Sequence, residues 1–234
     1  MEPVMTRRIT NSIVLLVSVS MWGATARAQT QVERGRYLVE GVLTCGNCHS
    51  PRGPGGTIDP TKLYSGGPQT WDEPTFAVKG SNITPDPDSG IGKWSADDIK
   101  TALREGVRPS GEPLAPIMPY GFYKVFTTSD LDAVVAYLRS VPAVSNKVQA
   151  PVYKASFHAE IPPGADKQMT EADLRDPIKR GFYLVTIAHC MECHTPKGND
   201  RLDSRMGLAK AARRSTAHGG NRSPATSRLT RRTA

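Results

Sequence analysis

Apolar residues in the first half of the chain fall into short helical periods separated by long polar stretches. From Val32 to Leu43 they predict one amphipathic helix. Ser95 stands where an N-cap belongs, ahead of a helix through Asp98 to Arg104. A third run places Leu131, Val134, Val135 and Leu138 at i, i+3, i+4 and i+7, one buried stripe, with Thr128 or Ser129 as its cap. Gly53-Pro54-Gly55-Gly56 and Ser65-Gly66-Gly67-Pro68 predict turns, and Trp71 to Asp88 an extended segment wrapping whatever the helices enclose. No stretch reads as a run of alternating strands. The expectation is an all-α chain of short helices and long loops.

The pattern then restarts. Arg180-Gly181-Phe182-Tyr183-Leu184-Val185 echoes Arg34-Gly35-Arg36-Tyr37-Leu38-Val39, and Cys193-His194-Thr195-Pro196-Lys197-Gly198 echoes Cys48-His49-Ser50-Pro51-Arg52-Gly53. This divides the chain into a leader (1–28), a first copy (29–144), a linker bearing Pro151, Pro162, Pro163 and Pro177 (145–179), the start of a second copy (180–204) and a tail (205–234). Only 40 residues follow His194, whereas the first copy takes 69 to run from His49 to Met118, so the second copy is expected to be incomplete. Removing 180–234 is expected to leave the first copy unaffected. From Met206 onward there is no acidic or aromatic residue and no apolar period. Two readings of this tail stand side by side: a solvated basic segment, or the product of a reading-frame shift. The second rests on codons 210–230, whose degeneracy in another frame permits Gly-Gly, Trp and Asn-Ile-Thr-Pro-Asp as in Gly66-Gly67, Trp71 and Asn82–Asp86.

Composition narrows the class. With 234 residues, 38% hydrophobic and 22% charged, the chain fits one globular unit or two small ones. The net charge of +8 suggests nucleic acid until it is mapped: residues 205–234 hold +8 and residues 1–28 hold +2, leaving −2 on the body. A body without net positive charge has no basic face for nucleic acid, which is set aside as a partner. Arg7 and Arg8 ahead of an apolar run from Ile13 to Trp22, then Ala26-Arg27-Ala28, form the three-part layout of a secretory signal cleaved after Ala28. The run is too short to cross a bilayer. A periplasmic protein is expected.

Four cysteines in an exported chain suggest disulfides, but each pair stands as Cys-x-x-Cys-His: Cys45-Gly46-Asn47-Cys48-His49 and Cys190-Met191-Glu192-Cys193-His194. On one helical turn the two sulfurs share a side and the imidazole joins them, as covalent attachment of haem through two thioethers with iron ligation requires. A thioredoxin-like pair would need a βαβ context, a four-cysteine zinc site would need closer pairs, and disulfides across adjacent turns would constrain almost nothing. Haem c is therefore expected at Cys45 and Cys48 with His49 on the iron. A second is expected at Cys190 and Cys193 with His194, if that half folds. The leading distal ligand for the first is Met118, inside Pro113-Leu114-Ala115-Pro116-Ile117-Met118-Pro119, a loop stiffened by three prolines. The second has only Met169, His218 and Met191 to offer, the last inside the attachment loop itself.

The segment Arg34–Val39, the CGNCH run, Asn82-Ile83-Thr84-Pro85-Asp86, Gly90-Ile91-Gly92-Lys93-Trp94-Ser95, Met118-Pro119-Tyr120 and Tyr137-Leu138-Arg139 together resemble a class I cytochrome c domain. More narrowly the chain is similar to multihaem cytochrome c subunits of periplasmic alcohol, aldehyde and molybdenum dehydrogenases. The resemblance implies His49 as proximal and Met118 as distal ligand, thioethers at Cys45 and Cys48, and the Pro51 carbonyl holding the His49 ring. It implies an electron carrier rather than an enzyme acting alone. The donor would be a periplasmic dehydrogenase, the acceptor an oxidase or other respiratory complex, with membrane association through those partners. The rival reading is a dihaem peroxidase-like enzyme whose second haem keeps an open face.

Overall fold

The computed structural model describes residues 29–195, with the backbone of 197–198 and 201–202. The expected leader with its cleavage site, the basic tail with its frame-shift reading, and His218 lie outside the described residues.

Helix α1, Gln31–Arg36, starts at a reciprocal cap: the Thr30 hydroxyl accepts from the Glu33 N–H at 3.2 Å, and the Glu33 carboxylate accepts from the Thr30 N–H at 2.8 Å. Tyr37–Val42 continues it in π register, so the expected 32–43 helix is one rod with two hydrogen-bond registers. The wider turn puts the Leu43 N–H on the Leu38 carbonyl at 2.8 Å and delivers the chain to Cys45. Helix α2, Gly46–His49, is one turn carrying the first attachment motif. Helix α3, Ala96–Glu105, begins at Ser95 with Asp98 as reciprocal partner and ends at Gly106, whose φ of 67° suits a residue without a Cβ.

Helix α4, Thr128–Ser140, is capped by Thr127, not by either expected candidate. The Thr127 hydroxyl accepts from the Asp130 N–H, whereas Ser129 gives its N–H and hydroxyl to the Glu171 carboxylate in the linker. The stripe Leu131, Val134, Val135, Leu138 is buried as its period requires. Helix α1 lies across α4 so closely that a Cβ on Gly35 would stand 1.9 Å from the Ala133 carbonyl oxygen.

The fold is helical with a small sheet, not free of strands as expected. The wrapping segment forms β1, Thr70–Asp72, antiparallel to β2, Phe76–Lys79, with Trp71 opposite Val78. The linker supplies β3, Val152–Tyr153, on the other side of β2, with Phe76 opposite Tyr153. Two short strands, β4 (Lys197–Gly198) and β5 (Arg201–Leu202), pair after the second motif. Strands of two to four residues are too short to alternate visibly, and β3 pairs with β2 across a long stretch of sequence that includes α3 and α4.

The linker and second copy lie against the first. The Met169 N–H reaches the Val125 carbonyl at 3.0 Å and the Asn146 amide donates to the Ser65 carbonyl at 2.8 Å. Helix α5, Pro177–Ile187, is capped by Asp176, and α6, Cys190–His194, carries the second motif. Tyr183, Ile187 and Met191 share one hydrophobic core with Leu38, Phe126 and Val134 of the first copy. The Tyr183 ring meets Phe126 edge-on at 6.2 Å between centroids.

Candidate functional site

The backbone grips α2 before any side chain acts. The chain turns left-handed at Thr44, φ 50°, immediately before Cys45. Below the helix the Gly66 N–H donates to the His49 carbonyl at 2.7 Å. Gly67 and Gly80 press on the Cys48 carbonyl so tightly that a Cβ on either would lie 1.9 Å from its oxygen. Held this way, Cys45, Cys48 and His49 face a cavity of about 590 Å³.

His49 Nδ1 lies 2.7 Å from the Ser81 carbonyl oxygen. This corrects the expectation for Pro51, whose carbonyl is already taken by the Asp59 N–H at 3.0 Å. With Nδ1–H donated to Ser81, Nε2 keeps its lone pair for the cavity side. Burial holds the imidazole below its ordinary pKa, with the Ser81 bond opposing and the Arg108 charge assisting, so the ring is neutral, as a ligand must be. Burial also pushes the Cys45 thiol up to about 12; Cys48 is raised by burial and then by the Glu192 carboxylate. All four cysteines are free thiols. Among the described residues no three His, Cys, Asp or Glu side chains converge as a zinc site would need.

Another part of the wall comes from the proline loop. The Leu114 N–H donates to the Gly106 carbonyl at 2.6 Å, the Met118 N–H to Ala115 at 2.9 Å, and the Tyr120 N–H to Met118 at 2.8 Å. These turns fix Met118, half-buried, on the same cavity as Cys45, Cys48 and His49. Trp94, Ile99, Leu103, Val134 and Leu138 make most of the remainder apolar. Arg108 also lines it, and its Nε is buried with no hydrogen-bond partner among the described residues. An orphaned cationic donor in an apolar cavity is costly unless a ligand brings an acceptor. Two thiols, an imidazole, a thioether and a guanidinium whose buried Nε lacks an acceptor among the described residues form a donor set that fits haem c, a flat apolar group with carboxylates.

The linker forms part of the wall: its Lys147, Val148, Gln149, Ala150 and Pro151 line the cavity. Asn82 fastens it. Its Oδ1 accepts from the Thr84 N–H at 2.9 Å and hydroxyl at 2.7 Å, while its Nδ2 donates to the Val144 carbonyl at 2.8 Å. The Asn146 N–H completes the tie on the Ser89 hydroxyl at 2.9 Å.

Cys190, Cys193 and His194 are exposed on α6 and do not line this cavity. Two neighbours do. His189, left-handed at φ 42°, and Glu192 stand in its wall, with His189 Nδ1 3.1 Å from the Glu192 carboxylate. Met191 is committed to the shared core and Met169 packs against it. Sequence reasoning missed Ser81, Arg108, His189 and Glu192. Of these only His189 carried a signal: it occupies the repeat position of Thr44, directly before the first cysteine of its motif.

No family model matches the chain. It is 31% identical over 200 residues to the cytochrome c subunit of the quinone alcohol dehydrogenase of Gluconobacter oxydans, a match covering 78% of this chain and 39% of that protein. It is 34% identical over 186 residues to the gluconate 2-dehydrogenase cytochrome c subunit of Pantoea cypripedii, covering 71% and 38%. It is 34% identical over 162 residues to a diheme cytochrome c-type protein of Cereibacter sphaeroides, covering 65% and 53%. The chain spans about two fifths of the length of the alcohol dehydrogenase subunits it matches. Its homologues are thus cytochrome c subunits of dehydrogenases and a diheme cytochrome c.

Proposed function

We propose that this chain, a homologue of dehydrogenase cytochrome c subunits, carries single electrons on covalently held haem c from a periplasmic dehydrogenase to a respiratory acceptor. The observation that carries the reading is the meeting of Cys45, Cys48, His49, Met118 and the unpartnered Arg108 on one largely apolar cavity. The bound haem supplies a one-electron ferric/ferrous couple.

The chain does the rest. Cys45 and Cys48 would supply the thioethers. His49 would offer Nε2 to the iron, its ring angle fixed by the Ser81 carbonyl. Met118 would offer its sulfur from the proline loop, and with both ligands in place the iron would have no position open to a substrate. Arg108 would pair with a haem carboxylate, satisfying its buried Nε. Leu103, Val134 and Leu138 exclude water, which keeps the reorganisation on electron transfer small. None of these roles transfers a proton, so the chain acts as the electron-carrying part of an oxidoreductase and is not itself the catalyst. Cys190, Cys193 and His194 hold a second haem c on α6. The architecture is a cytochrome c fold of short helices with the small sheet as one wall.

The test is intact mass of the exported product, with oxidised and reduced visible spectra of wild type and Met118→Ala. Covalent haem and a low-spin spectrum with a sulfur-to-iron band are expected. In Met118→Ala the haem stays attached, the band is lost and the potential falls. A band surviving that substitution would show another ligand. A high-spin signal that turns over peroxide would replace the carrier by a peroxidase.

A further inference from the structure

The repeated segment is used in opposite ways by its two copies. Tyr37 in the first is 49% exposed, whereas Tyr183, at the same place in the second, is fully buried. Gly35 is pressed onto Ala133 of α4, whereas Gly181 has nothing within 4 Å. The helix face that closes the first copy on itself is open in the second, and the tyrosine face docks instead. The dock is a carboxylate. The Tyr183 hydroxyl donates to Asp130 Oδ2 at 2.7 Å, and the buried Asp130 also receives Arg34 Nε and Nη2 at 2.7 and 2.8 Å. One side chain on α4 therefore joins α1, α4 and α5. Beyond it Ile187 and Met191 sink into the shared core, and α6 presents Glu192 to the first cavity.

We propose that Asp130 and Tyr183 are positioning residues that seat α6 as a wall of the first haem cavity, so that Glu192 sets the potential of the first haem. The inference rests on the proposed attachment of that haem at Cys45, Cys48 and His49. A carboxylate beside a haem stabilises the more positive oxidised iron and lowers the potential. The coupling depends on the distance between α6 and the cavity, hence on the anchor that fixes it. Tyr183→Phe removes only the hydroxyl: Asp130 keeps Arg34 and the ring keeps Phe126.

The test is a double-mutant cycle on the potential of the first haem, in the full haem-loaded chain with Cys190 and Cys193 both changed to Ser so that a single haem titrates. Glu192→Gln is expected to raise the potential when Tyr183 is present. In Tyr183→Phe that rise shrinks, and in Tyr183→Ala, which removes the ring as well, it disappears, while the Met118 spectral band persists throughout. A residue that only stabilised the fold would lower the melting temperature without making the Glu192 effect depend on Tyr183. The same rise in all three backgrounds, or no rise on Glu192→Gln, would overturn the positioning role and leave the haem assignment intact. Absence of covalent haem from the chain with Tyr183 and Glu192 unchanged would overturn the assignment itself.

Discussion

Gly80→Ala tests how rigidly the backbone holds the attachment helix. A Cβ at Gly80 would lie 1.9 Å from the Cys48 carbonyl oxygen and 2.8 Å from its carbon, with Gly67 N at 3.4 Å behind. Contacts under 3.0 Å are essentially never tolerated, so Cys48 or the end of β2 must retreat by about 1 Å. No flexible side chain stands at the clash; the three nearest atoms are all backbone. The cost should lie at the upper end of overpacking, about 3 kcal/mol. For a chain of this size that lowers the melting temperature by about 6–12 °C. Gly181→Ala is the control, since it adds the same methyl in a helix where nothing stands within 4 Å. It should gain about 0.5–1 kcal/mol from helix propensity and melt slightly higher than wild type. Thermal melts of the haem-loaded proteins, followed in the visible and far ultraviolet, compare the two. Gly80→Ala melting with wild type and binding haem normally would refute the close packing of β2 on Cys48.

Replacing Arg108 by Gln removes a cation from the wall of the haem cavity, which should lower the potential and leave the low-spin spectrum unchanged; Arg108→Lys should recover part of the loss. An unchanged potential in Arg108→Gln would remove Arg108 from the haem's surroundings. Asp86 and Asp98 are held below the usual carboxylate range by hydrogen bonds from Ser89 and Ser95, and Glu171 by bonds from Ser129. A depressed folded pKa gives stability that is complete above the unfolded value, near 4, and is lost as pH falls through the folded one. The melting temperature should therefore drop below about pH 4, and Asp86→Asn with Asp98→Asn should flatten that limb of the profile. A profile as steep in the double variant would assign the acid limb to other groups.

The residues that define the cavity by chemical type were legible in the sequence, because Cys-x-x-Cys-His and a proline-locked Met carry their own geometry. So was the buried stripe of α4, where one period decides one face. What was not legible is whatever depends on two distant segments meeting. The Ser81 carbonyl serves His49 because β2 ends beside α2, and nothing in either segment's composition says so. Pro51 was the choice the family resemblance implied, but it stands beside the Arg52–Ile58 bridge and its carbonyl takes the Asp59 N–H. Strand β3 is two residues long and exists only through β2. Arg108 reads in the sequence as one more surface cation; its significance is a buried Nε that has no partner among the described residues. The linker's prolines point to a spacer, yet Lys147 to Pro151 stand in the cavity wall.

The Asp130 carboxylate has two clients, one from each copy, and this makes it a junction rather than a link. Its bidentate pair with Arg34 joins α1 to α4 within the first copy. Its Oδ2 also takes the Tyr183 hydroxyl from α5, and the carboxylate between them is buried. The two copies therefore hold one buried charge in common, and replacing Asp130 would leave a guanidinium and a phenol without their acceptor at the same time.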